Sequence, residues 1–261
     1  MTMAFLTVQS RRLEYVRLQP TTMTAKVHRP SIVMLHEGLG SIAMWRDFPQ
    51  QVADASGCEV VVYSRYGYGM SDPTEQSRDV NFMHKEALEA LPDLLDQLHI
   101  RKPILFGHSD GGSIALIYAG GAQRDLTGVI AMAPHVKVEQ LTVTSIAAAR
   151  EAYLDGNLGE KLARYHANVD LTFRPWADIW LHPAFLHWNI EGYLPPIACP
   201  ILAIQGVDDE YGTMEQIHII DRTVKDVELL KLPDCRHSPH KDQPRAVLKA
   251  VAAFVEKITV T

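Results

Sequence analysis

Short apolar runs punctuated by glycine, proline and polar clusters recur along the chain, at residues 31–35, 59–64, 103–107, 127–133, 200–206 and 227–232. Such runs, bounded by turn formers, are the mark of buried strands. A leading strand pair is expected in residues 5–18 and 24–28. Elsewhere the apolar positions recur every three or four residues, which is helical spacing: Leu88, Leu91, Leu95 and Leu98, then Ile217, Ile220 and Val224, then Val247, Leu248, Val251, Phe254 and Val255. Pro92 falls inside the first set and should kink that helix or delay its start, because it has no N–H to donate. Strands alternating with helices predict an α/β fold, an eight-stranded and mostly parallel sheet flanked by helices.

The alternation breaks between Pro134 and Pro195. Residues there have helical patterns, near 146–154, 158–165 and 176–180, but no convincing strand. The pattern predicts a core domain from residues 1–134 and 196–261, with residues 135–195 inserted after the sixth strand as a helical lid. Trp176, Trp180 and Trp188 lie in this stretch with Phe173, Phe185, Tyr153 and Tyr165, leaving only Trp45 outside. An aromatic lid would make an apolar pocket and exclude water. The alternative use of these rings is the lid's own core.

Three of the runs end in candidate chemistry. Residues 102–106 lead into Gly107-His108-Ser109-Asp110-Gly111, followed by the small-residue helical segment 112–119. A strand turning sharply into a helix at G-x-S-x-G is a nucleophile elbow, which strains the serine backbone and projects its hydroxyl. The 200–206 run opens onto Val207-Asp208-Asp209-Glu210, which supplies an acid, and the 227–232 run onto Cys235-Arg236-His237-Ser238-Pro239-His240, which supplies a base. Serine needs an imidazole to take its proton, and the imidazole needs a carboxylate to fix its tautomer. His108 should point away from the pocket.

With these three motifs in this order, the chain resembles the α/β-hydrolase superfamily over nearly its whole length. The resemblance selects Asp209 over Asp208, three residues after the glycine that closes its strand, and His237 over His240. It implies a catalytic triad of Ser109, Asp209 and His237. Arg236 replaces the glycine usual before the histidine. Residues 31–35 lead into His36-Glu37-Gly38-Leu39-Gly40, similar to the family's His-Gly-x-Gly oxyanion loop with Glu37 at the first glycine; the implied oxyanion donors are the backbone N–H groups of Gly38 and Asp110. The glycines of residues 65–72 read as turn formers.

Composition narrows the class. At 261 residues and 47% apolar, the chain can bury a single large core. A net charge of −6 with scattered Lys and Arg gives no nucleic-acid surface. No run is long enough to span a bilayer, and residues 1–12 lack a signal-peptide pattern, which points to a cytoplasmic protein without a membrane partner. Cys58, Cys199 and Cys235 are too widely spaced for a metal or disulfide motif and read as reduced thiols. His166, His182 and His187 match no zinc pattern, so neither metal nor cofactor is expected.

The reading is a serine hydrolase acting on carboxylic esters or thioesters of small, apolar or aromatic acyl groups through an acyl-enzyme. A serine at the elbow argues against epoxide hydrolases and haloalkane dehalogenases, which use an aspartate there, and the lid argues against capless perhydrolase-like relatives. Segments 109–112 and 65–69 also resemble the biphenyl hydrolase-like or valacyclovir hydrolase group, in which aminoacyl esters are substrates. Glu37 and Asp110 would then border the acyl pocket and favour a substrate amine; the alternative is that Arg65 neutralises Glu37 and Asp110 turns outward. A carbon-carbon bond hydrolase and a non-catalytic ligand-binding homologue remain as other classes. The oligomeric state is open, a homodimer included.

Overall fold

In the computed structural model, which describes residues 3–22, 29–74 and 77–259, the apolar runs are strands of one sheet. They are β1 (Ala4–Val8), β2 (Arg11–Leu18), β3 (Ile32–Leu35), β4 (Val60–Tyr63), β5 (Ile104–His108), β6 (Gly128–Met132), β7 (Ile201–Gly206) and β8 (Val227–Leu232). Each internal strand lies within about a residue of its expected position. The leading pair is instead a hairpin within residues 4–18, and the strand expected at 24–28 lies outside the described residues. The sheet order is β1-β2-β4-β3-β5-β6-β7-β8, with the β1–β2 and β2–β4 pairs antiparallel and the remaining pairs parallel.

The parallel strands are apolar on both faces because both are covered. Ile32, Met34, Val60, Val62, Ile104 and Phe106 face one core layer, which α1 (Phe48–Ser56) and α10 (Pro244–Thr259) close. Val33, Leu35, Val61, Leu105, Val129 and Ala131 face the other, closed by α2 (Phe82–Lys85), α3 (Leu91–Gln97), α4 (Asp110–Gly121) and α8 (Glu215–Thr223). Residues 86–90, between α2 and α3, form a wide π turn immediately before Pro92. Proline cannot donate to the carbonyl one turn back, and the wider turn is where the ladder is reset.

Between β6 and β7 the chain runs through α5 (Gln140–Leu154), α6 (Leu158–Leu162), α7 (Val169–Trp180) and two short 3-10 turns. Asn168 caps α7 by accepting from the Leu171 N–H, so this helix starts well before the Trp176 expected from the sequence. The ends of the insertion are stapled together: Val138 N–H donates to Trp188 O and Ile190 N–H to Val136 O.

Chain order places the site. β5 lies between β3 and β6, where the connections change direction across the sheet, so the loops after β3 and β5 open side by side. Leu35 pairs in register with Gly107, and the start of α4 packs directly on the end of β3. A Cβ added at Gly111 would lie 2.2 Å from the Leu35 carbonyl oxygen. Only glycine admits that approach.

Gly111→Ala should therefore destabilise the chain by about 2–4 kcal/mol, through overpacking against backbone that cannot yield. Gly192→Ala, with nothing within 4 Å of the added carbon, should stay within about 0.5 kcal/mol of the parent. Urea denaturation midpoints of the two variants check the contrast; equal values would mean that the elbow has slack.

Candidate active site

Ser109 connects β5 to α4 with φ 54° and ψ −119°, a left-handed conformation that side chains rarely adopt. It is held from both sides: its N–H donates to Met132 O at 2.9 Å, and its carbonyl accepts from Ser113 N–H at 3.0 Å. The turn sends its hydroxyl to 2.9 Å from His237 Nε2.

The loops after β7 and β8 converge on the same point. Asp208 N–H donates to Cys235 O, and His237 N–H to Glu210 Oε2, which knits the two loops together. Asp209, in the first loop, presents both carboxylate oxygens 2.9 Å from His237 Nδ1. Tyr211 N–H, Gly212 N–H and Gln205 Nε2 also donate to it, at 2.8, 3.2 and 2.7 Å. Burial works to raise this carboxyl, but the His237 contact and the backbone donors outweigh it and hold the carboxyl below its usual range. An ionised Asp209 accepts from Nδ1–H, leaving the Nε2 lone pair for the serine proton. Asp208 is exposed and makes no such contact.

His108 is fully buried against His237: its Nε2 donates to His237 O at 2.7 Å, and its Nδ1 faces Glu37 Oε2 at 3.5 Å. Arg236 fits in place of a glycine because the left-handed residue of this loop is Asp234, φ 52°. The Arg236 guanidinium pairs with Glu210 at 3.1 Å. His240 packs on Trp45 and His108, and burial drives it down to about 2, so it stays neutral.

The Gly38 and Asp110 N–H groups stand at the ends of adjacent strands, and neither donates to a protein acceptor among the described residues. Glu37 leaves the turn intact because Arg65 holds it: Arg65 Nη2 donates to Glu37 O at 2.9 Å and His36 O at 3.2 Å. The electrostatic alternative drawn from the sequence needs correction here. Arg65 grips Glu37 by its carbonyl and lies 4.0 Å from Asp110, which is buried rather than turned outward. Glu37's carboxylate instead faces His108 and, at 4.0 Å, Lys241. Burial would raise it, but His108, Lys241 and His240 hold it well below the usual range. Burial pushes the Asp110 carboxyl up, against the pull of Arg65 and Arg78.

Of the three insertion tryptophans, Trp176 lies against Gly38, and Trp180 lies beside Asp110 with its ring 5.0 Å from His135. Trp188 stacks on Phe185 inside the insertion. His135, just after β6, escaped the sequence reading, since a lone Pro-His carries no motif. Its ring is 5.9 Å from that of His237, and burial drives it down to about 3, making it a neutral wall of the site. His166 was legible only as an idle metal candidate. Its Nδ1 accepts from Gly69 N–H at 3.0 Å and its Nε2 donates to Leu39 O at 2.9 Å, tying the insertion to the loop that carries Gly38. No group of metal-ligating residues, and no helix long and apolar enough to cross a membrane, occurs among the described residues.

A model of the alpha/beta hydrolase family matches residues 32–250. Curated relatives include a proline iminopeptidase of Lactobacillus delbrueckii subsp. bulgaricus, 29% identical over 54% of this chain and 52% of that one. The human serine hydrolase BPHL is 26% identical over 69% of this chain and 64% of its own length. The matches thus span about half to two thirds of these relatives. A proline iminopeptidase structure from Mycobacterium smegmatis superposes with a TM-score of 0.77 at 16% identity, covering 99% of each chain. At that identity the likeness shows the fold alone.

Asp209 is lowered on folding, so its contribution to stability is fully present above the unfolded value, about 3.9. It is lost as pH falls through the lower, folded value. The melting-temperature gap between the parent and Asp209→Asn should consequently shrink between about pH 6 and about pH 3. A gap that stays constant or widens on acidification would contradict the depressed carboxyl.

Proposed function

We infer that this chain, which belongs to the alpha/beta hydrolase family, is a serine hydrolase cleaving carboxylic esters or thioesters of small, apolar or aromatic acyl groups. The observation that carries the reading is the continuous hydrogen-bonded line from Asp209 through His237 to Ser109, each link 2.9 Å. His237 takes the Ser109 proton as the oxygen attacks the acyl carbon, and Asp209 stabilises the resulting imidazolium. The tetrahedral oxyanion is held by the Gly38 and Asp110 N–H groups. His237 then protonates the leaving group, and water attacks the acyl-enzyme by the same route. Residues 135–195 act as the lid, with Trp180 and His135 beside the triad giving an apolar acyl wall.

An aminoacyl substrate is the second reading, favoured by the carboxylate next to the nucleophile. At about 6 Å, Asp110 would favour a substrate ammonium by roughly 3 kcal/mol at an effective dielectric of about 20. Arg65, fully buried and 4.0 Å from that carboxylate, opposes the same ammonium, and burial pushes the Asp110 carboxyl towards its neutral form. Both effects weaken the pull on an ammonium, which leaves the neutral acyl group as the better fit. Glu37, turned to His108 and Lys241, contributes no substrate contact.

Ser109→Ala should abolish ester turnover with the melting temperature unchanged, and Asp209→Asn should lower kcat about 10³–10⁴-fold while Asp208→Asn stays within about twofold. Near-parental turnover by purified Ser109→Ala would overturn the assignment, and the reverse aspartate ranking would move the acid by one residue. A non-catalytic homologue would show no labelling of Ser109 by a fluorophosphonate.

An α-amino ester and its isosteric neutral ester, compared at a pH where the amine is charged, should give specificity constants within about threefold. A preference for the amine above about thirtyfold, eroded by Asp110→Asn, would establish the aminoacyl reading instead.

A further inference from the structure

Gly38 has no conformational reason to be glycine. Its φ is not in the left-handed region, unlike those of Gly57, Gly67 and Gly69. What the missing side chain admits is the indole of Trp176: a Cβ at position 38 would fall 2.1 Å from Trp176 Nε1 and 2.9 Å from the two ring carbons bonded to it. The insertion thus presents the polar edge of a tryptophan, not its face, to the loop that supplies a backbone donor.

The position of that edge can be bounded. The nitrogen and Cβ of one residue are about 2.5 Å apart, so Trp176 Nε1 lies within about 4.6 Å of the Gly38 nitrogen. Two donors at that separation can share one oxygen about 2.9 Å from each. The Trp176 N–H is buried and finds no acceptor among the described residues, although indole N–H groups in protein interiors usually do. The indole is also held in place: one helical turn earlier on α7, Thr172 Oγ1 donates to Gly67 O at 2.7 Å, and at the approach to the helix His166 bridges Gly69 N–H and Leu39 O.

We propose that the Trp176 indole N–H is a third oxyanion donor, delivered by the insertion into the space that Gly38 leaves open. The oxyanion site would then be completed across two parts of the chain, with backbone donors from the sheet loops and one side-chain donor from α7. Trp176 is on this assignment a catalytic residue rather than only a wall of the acyl pocket. The inference rests on the serine hydrolase reading above and names a further group at that site.

The test uses Trp176→Phe, which keeps an aromatic ring and removes the N–H, and Gly38→Ala, which keeps the backbone donor and displaces the indole. Both are assayed on p-nitrophenyl butyrate, with an alkyl boronic acid as a tetrahedral analogue. Loss of a principal oxyanion donor lowers kcat by about 10²–10³; for this additional one, each variant should lose about 10–100-fold in kcat with KM within about threefold. Boronate affinity should fall in step with kcat, and the double variant should be no slower than the worse single one. Unchanged kcat in Trp176→Phe, an effect confined to KM, or losses that multiply in the double variant would overturn the proposal. If Trp176→Phe does not fold, Gly38→Ala alone decides by the same kcat and boronate criteria. A wild-type chain that neither hydrolyses the ester nor labels at Ser109 would overturn the hydrolase reading as well, whereas an active wild type with an unaffected Trp176→Phe overturns only this inference.

Discussion

The strained backbone of Ser109 is the constraint around which the site is arranged. A side-chain-bearing residue at φ 54° and ψ −119° costs about 1–3 kcal/mol, and such a turn persists only where its surroundings over-determine it. Here they do. The Ser109 N–H is committed to β6, its carbonyl to α4, and the first turn of α4 is pressed onto the end of β3 through Gly111. Relaxation of the turn would move the hydroxyl away from His237 and swing the Asp110 N–H out of line with Gly38. The position of the Ser109 hydroxyl and the direction of the Asp110 N–H are thus two readouts of a single backbone conformation.

Arg65 performs the corresponding task for the loop that carries Gly38. Its guanidinium, buried beside the Tyr68 ring at 4.8 Å, binds the carbonyls of His36 and Glu37. The Glu37 carbonyl and the Gly38 N–H belong to the same peptide unit, so a cation on the oxygen polarises the N–H and makes it a stronger donor. A buried guanidinium is costly unless its partners are well placed, and Asp110 at 4.0 Å offsets part of that cost. The carboxylate next to Ser109 thus has a structural partner in Arg65, which holds the neighbouring loop.

The strands were legible in the sequence, as were the positions of the three side chains that the structure brings within hydrogen-bonding distance, because both are written locally. Runs such as residues 32–35 and 201–206 declare themselves by apolar content, and Ser109, Asp209 and His237 each follow such a run at a short, fixed distance. What was not legible depends on contacts between distant segments. Nothing near Glu37 announces His108 or Lys241, and nothing near Gly38 announces Trp176, 138 positions away. The π turn before Pro92 was half legible: the proline marks trouble in the ladder, but whether the helix kinks, starts late or widens by one residue depends on its packing. His135 and His166 carry no motif, and their roles arise only once the insertion has settled against the sheet.

The insertion is hydrogen-bonded to the loops that carry Asp209 and Gly38. α5 donates from Thr142 Oγ1 to Tyr211 O and from Ser145 Oγ to Glu210 O, next to Asp209. α7 and the segment before it reach the Gly67–Gly69 turn and Leu39, next to Gly38. The loop carrying Asp209 and the loop carrying Gly38 are thereby fastened to the same set of helices. In the language of cooperative folding, hydrogen bonds of this kind couple the opening of the insertion to that of the two loops. Grafting a foreign insertion onto the sheet would therefore remove hydrogen-bond partners of both loops, and with them part of the frame that holds Asp209 and Gly38 in place.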